Sequence, residues 1–138
     1  VFLDTNVLIS AFAARGLCAD LMRLLLTEHE LLTGEVNLTE LRRVLLHRFG
    51  APEARVDEVE ALLRDHTVIP TPSSLLPVAV RDADDAWVLA SAVAGAADLL
   101  VTGDQDLLVV AADAPLPIVT PREAWERLRG EGTGLVPR

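Results

Sequence analysis

Asp4 closes the first apolar run of the chain, Val1-Phe2-Leu3. Asp104 stands two residues past the most apolar run, Asp98-Leu99-Leu100-Val101-Thr102. Glu40 follows a third run, Leu31-Leu32-Thr33, while Asp82, Asp84 and Asp85 crowd the start of an apolar stretch and Asp106 follows Asp104. Each acid alone has a plain explanation at a helix N-terminus, where a carboxylate caps free N–H groups and suits the helix dipole. Asn37-Leu38-Thr39-Glu40 reads as a capping box and Asp82-Ala83-Asp84-Asp85 offers N-caps; a cap contributes about 1 kcal/mol. Together the acids read differently. Carboxylates from four segments meeting at one rim would repel each other without a counter-ion. Hard divalent cations such as Mg²⁺ or Mn²⁺, which prefer oxygen ligands, remove that repulsion. The sequence permits such a meeting without requiring it.

The elements that would bring the acids together alternate. Val1-Phe2-Leu3, Leu31-Leu32-Thr33, Thr67-Val68-Ile69, Asp98-Leu99-Leu100-Val101-Thr102 and Pro117-Ile118-Val119-Thr120 read as strands. Helices are expected over 5–14, 18–28, 38–49, 53–65, 84–95 and 105–111, with a last helix opening at Pro121. Glu40 then falls in the first turn of its helix. The Pro-rich stretch 70–74 reads as a connector. Strands alternating with helices argue for a parallel sheet covered on both faces, and ligands of such sheets bind outside the carboxyl ends of the strands.

Composition narrows the chemistry. The chain has 138 residues, 51% of them apolar, with a net charge of −9. That is one globular domain with a sizeable core. All 12 bases are Arg. Without Lys there is no phosphate-loop lysine or Schiff base, and a receiver-type phosphoacceptor domain is disfavoured. Cys18 alone cannot build an internal disulfide, and His29, His47 and His66 lack zinc-site spacing. A reducing, cytoplasmic compartment fits, with no membrane span or signal peptide. The abrupt apolar start at Val1 suits a trimmed native beginning. The stretch 131–138, ending Gly134-Leu135-Val136-Pro137-Arg138, resembles a tag-derived tail after a domain over 1–130.

Five segments resemble one known family. Val1-Phe2-Leu3-Asp4-Thr5-Asn6-Val7-Leu8-Ile9-Ser10 looks like the opening of a PIN domain. Glu40-Leu41 resembles that family's second acidic element, Asp82-Ala83-Asp84-Asp85-Ala86-Trp87-Val88-Leu89-Ala90 its third, and Leu100-Val101-Thr102-Gly103-Asp104-Gln105-Asp106 its fourth. Thr120-Pro121-Arg122-Glu123 resembles the closing segment of a bacterial subgroup described as VapC-like toxins of toxin–antitoxin pairs. The resemblance spans 1–130. It implies a single-domain, Rossmann-like α/β/α sandwich with a central parallel sheet, and Mg²⁺- or Mn²⁺-dependent cleavage of RNA. Asp4, Glu40, Asp85 and Asp104 match the family's catalytic quartet, with Asp4, Asp85 and Asp104 as metal ligands. Asp82 and Asp106 are accessory acids; Thr5 and Asn6 would orient Asp4 or touch phosphate, and Thr102 would support the site near Asp104. The implied partners are RNA, an antitoxin protein and a second copy of the chain.

Two other readings stay open. One is a PIN-like module that works by association with little catalysis. The other is a different acidic-site phosphohydrolase on a Rossmann-like sheet, such as a haloacid-dehalogenase phosphatase. That class needs Asp-x-Asp after the first strand, and here the tripeptide is Asp4-Thr5-Asn6. The acidic balance opposes nucleic-acid binding unless bases cluster locally. Arg15, Arg42, Arg43, Arg48 and Arg81 are the candidates for phosphate contacts. The aromatic residues mostly fall on apolar faces, so no base-stacking platform is evident.

Overall fold

The computed structural model describes residues 1–133. Five short strands, β1 (Phe2–Leu3), β2 (Leu32–Gly34), β3 (Thr67–Ile69), β4 (Leu100–Val101) and β5 (Ile118–Val119), form one sheet. Its spatial order is β3-β2-β1-β4-β5 and every pairing is parallel. The chain therefore winds outward from β1 to β3, returns beside β1, and winds out the other way. The reversal lies between β1 and β4, where Phe2 pairs with Leu100 and Leu3 with Val101.

Strand alternation splits the core in two. Leu3, Val101 and Val119 face one cluster; Phe2, Leu100 and Ile118 face the other. The first cluster is covered by α1 (Thr5–Ala13), α2 (Leu17–Glu28), α3 (Glu35–His47), α4 (Glu53–Arg64) and α7 (Pro121–Thr133). The second is covered by α5 (Ala83–Ala94) and α6 (Gln105–Leu108). This division follows from right-handed crossovers: helices on the outward run fall on one face, and helices on the return fall on the other. The α/β/α sandwich expected from the alternation is thus present. Among the described residues no helix is long and apolar enough to cross a membrane.

Boundaries differ from expectation at informative places. Helix α3 starts at Glu35, three residues before the expected 38, so Glu40 lies in its second turn rather than its first. Asn37 is consequently not an N-cap; Gly34 is. Pro52 caps α4 instead of entering its first turn. The helix expected over 105–111 stops at Leu108, and a 3₁₀ turn follows at Ala111–Asp113. Helix α7 continues to Thr133, three residues into the stretch read as a tail; the rest of that stretch lies outside the described residues.

Leu100 is fully buried beneath α5 and α6, whereas Val109 is 71% exposed. Leu100→Ala is expected to lower unfolding free energy by about 2–5 kcal/mol. Val109→Ser should stay within about 0.5 kcal/mol. Urea denaturation of both variants checks the pair.

Candidate metal centre

The site lies where the strand order reverses. Asp4 is the residue after β1 and N-cap of α1; Thr102, Gly103 and Asp104 follow β4. Asp4 is only 4% exposed, and its carboxylate accepts three hydrogen bonds from three segments. The Thr5 backbone N–H donates to Oδ1 at 2.7 Å, the Asn37 Nδ2 to Oδ1 at 3.1 Å, and the Thr102 hydroxyl to Oδ2 at 2.7 Å. A buried carboxylate needs such donors, because burial without them costs several kcal/mol. Even so, burial pushes Asp4 above the usual carboxylate range. The Thr102 and Thr5 donors pull it back, the Asp104 charge pushes it further up, and Asn37 pulls it down.

The supporting residues are locked in turn. Thr102 Oγ1 also accepts from the Asp104 backbone N–H at 3.0 Å. Asn37 Nδ2 reaches Thr5 Oγ1 at 3.0 Å, and its Oδ1 accepts from the Gly34 backbone N–H at 3.2 Å. A side chain at Gly34 would place Cβ 3.0 Å from Asn37 Oδ1 and 3.2 Å from Ser91 Cβ, so glycine lets α3 and α5 close in here. Thr5 is buried, with its backbone N–H on Asp4 and its hydroxyl accepting from Asn37. Asn6 Oδ1 accepts from the Gly103 N–H at 3.3 Å and pins the β4 loop. It therefore does not act as the second acid a dehalogenase-type phosphatase would need.

Asp85 comes from the first turn of α5 and is 9% exposed. Its Oδ2 is buried and has no hydrogen-bond partner. Desolvation, a hydrogen bond shared with the Asp104 carboxyl, and the charges of Asp104, Asp4 and Asp82 push its pKa up to about 8. Glu40, half-buried on α3, is raised by desolvation and by Asp4, lowered by Arg43, and raised again by Asp84 and Asp82. Asp4 thus acts electrostatically on Glu40 and Asp85, and Asp104 on Asp4 and Asp85.

The accessory acids extend the rim. Asp82 caps α5, its Oδ1 accepting from the Asp84 and Asp85 N–H groups. Asp106 donates its N–H to Asp104 Oδ1 at 2.9 Å, and its carboxylate pairs with Arg81 at 3.0 Å. Asp82, Asp85 and Asp106 each offer an oxygen within 4.8 Å of the others. Orphaned Asp85 Oδ2 and the all-oxygen donor set fit a hard divalent cation.

Sequence reasoning passed over Asn37. Its signal was present: Asn37, Leu41 and Val44 share a helical stripe, so a polar residue stands on the buried face of α3. A buried polar residue on an apolar stripe needs a partner, and Asp4 supplies it.

The family model for the PIN domain matches residues 1–106. The chain belongs to the PIN-domain family. Members of this family are generally nucleases that use divalent metal ions. No curated protein matches the chain. Thirteen chains of solved structures match. One belongs to VapBC2 from Rickettsia felis bound to a DNA fragment from their promoter. It shares 13% identity with a TM-score of 0.58, covering 86% of this chain and 96% of that one. At that identity the likeness speaks for the fold of this PIN domain.

Asp4, Glu40 and Asp85 are all raised above their ordinary values. Each favours folding fully below the ordinary carboxylate range, and that contribution is lost as pH rises through the folded pKa. For Asp85 the window runs from 3.8 to about 8. The melting temperature of the metal-free PIN domain should therefore fall as pH rises from about 5 to about 8.5. Asp85→Asn should flatten the slope, and Mn²⁺ should raise the melting temperature most at the alkaline end. A metal-free melting temperature that climbs through the window contradicts the assignment.

Proposed function

We propose that this PIN domain is a metal-dependent endoribonuclease and the toxin of a toxin–antitoxin pair, acting in the cytoplasm. The observation that carries the reading is the Asp4 carboxylate, buried and fixed by Thr5, Asn37 and Thr102 beside Asp85 and Asp104. The family supports the nuclease, and the VapBC2 likeness supports the toxin half with an antitoxin partner; a second copy of the chain completes the proposed partners.

In this reading Asp4, Asp85 and Asp104 hold Mg²⁺ or Mn²⁺, with Asp82 and Asp106 at the margin and Glu40 facing the centre. The chemistry such an ion supplies when bound is activation of water at neutral pH and neutralisation of charge on the phosphoryl oxygens. The chain's own groups do the rest. Thr102 and Asn37 hold the Asp4 oxygens in one orientation, so no reorganisation is needed as charge develops. Asp85, raised to about 8 with Oδ2 unpartnered, would be a ligand whose deprotonation a bound cation favours. Glu40, half-buried and raised, is the carboxylate placed to take a proton from the attacking water.

Labelled single-stranded RNA should be cut with Mn²⁺ or Mg²⁺, and left whole with EDTA or by Asp4→Asn. Asn37→Ala keeps every carboxylate but frees Asp4, and should cost about 10–100-fold in metal affinity or rate. Cutting that persists in Asp4→Asn overturns the site. Folded, metal-loaded protein that cuts no RNA favours the module that works by association.

A further inference from the structure

Beside the acidic rim, α3 and α5 enclose an open groove of about 330 Å³, within the small-ligand range. One wall is a single stripe of α3, Val36, Thr39, Glu40 and Arg43, at spacings of three and four. The other is a stripe of α5, Asp84, Trp87 and Val88. The groove is continuous with the metal centre through Glu40, whose carboxyl feels both Asp4 and Arg43.

Two side chains here lie outside the hydrophobic clusters and the ion pairs. Phe2, Phe12 and Trp125 pack into the cores, but half-buried Trp87 joins neither cluster. Arg43 is exposed, and among the described residues it has no ion-pair partner within 4 Å. Its neighbours are committed. Arg42 pairs with Asp57, Glu53 and Glu60, Arg64 with Glu35 and Glu60, and Arg81 with Asp106, while Arg48 lies over Phe49. In a chain of net charge −9, an exposed guanidinium outside the ion pairs and an aromatic side chain outside the core clusters, meeting in one groove, are features that suit a nucleotide.

We propose that this groove takes the nucleotide of the RNA substrate next to the cleaved bond, its base stacked on Trp87 and a phosphate on Arg43. This rests on the nuclease reading and adds a substrate subsite to it. Stacking tolerates any base, so Trp87 supplies affinity and register, while the neighbouring Thr39 hydroxyl offers a polar group to a base edge.

The test uses Trp125→Phe as background, which leaves Trp87 as the chain's single tryptophan. Titrating single-stranded RNA with Ca²⁺ present should quench Trp87 emission in step with binding read by anisotropy of the labelled RNA. Trp87→Ala should raise the KM for cleavage with Mn²⁺ about tenfold, the loss falling on KM rather than kcat, and Trp87→Phe should recover most of it. Arg43→Gln should weaken RNA binding and make it less sensitive to salt. Metal-dependent cleavage by wild type with silent Trp87 emission and an unchanged KM in Trp87→Ala overturns the subsite alone. Wild type that neither binds nor cuts RNA overturns the nuclease reading and the subsite with it.

Discussion

The buried carboxylate of Asp4 needs three donors, and they come from the start of α1, the start of α3 and the end of β4. Holding them together demands that β1 pair with β4, and that α3 begin close enough for Asn37 to reach across. The β1–β4 pairing supplies the first condition, with Leu3 against Val101 immediately before the two site segments. Gly34 supplies the second, since a side chain there would crowd Asn37 of α3 and Ser91 of α5. Much of the local architecture can be read as the means of keeping one charged group dry and hydrogen-bonded.

That arrangement leaves a site of concentrated negative charge. Arg81 pairs with Asp106 at the margin, while Asp85 keeps an oxygen without a partner. Burial and the mutual repulsion of these carboxylates raise Asp4, Glu40 and Asp85 above the usual carboxylate range. A divalent cation bound there would relieve that repulsion. Arg42 and Arg64 are held in ion pairs between α3 and α4 and so do not shield the rim. Arg43, on the groove side, stands outside those ion pairs, with consequences for a polyanion.

Much of this was legible in the sequence because strand and helix signals alternate cleanly. The apolar runs at 1–3 and 98–102 gave β1 and β4, and acids immediately after them gave the rim. The reach of Asn37 was not legible, because the capping pattern at 37–40 offered a local explanation that tertiary packing overrode. Gly34 capped the helix instead, shifting its start and moving Glu40 one turn along. The freedom of Trp87 was hidden for a similar reason. An aromatic residue inside an apolar helix looks like core until the packing of α3 on α5 shows which face it occupies. Ion pairing was hidden too, since only the α3–α4 packing distinguishes Arg42, which is committed, from Arg43, which is not.

The central claim is that carboxylates gathered at the β1–β4 reversal form one divalent-cation site. Anomalous diffraction from crystals grown with Mn²⁺ tests it most directly. The account predicts a manganese peak between Asp4, Asp85 and Asp104, with an oxygen of Asp85 at about 2.0–2.3 Å, as hard-cation coordination requires. Saturating Mn²⁺ with no peak at these carboxylates, or a peak only at unrelated surface acids, would contradict it.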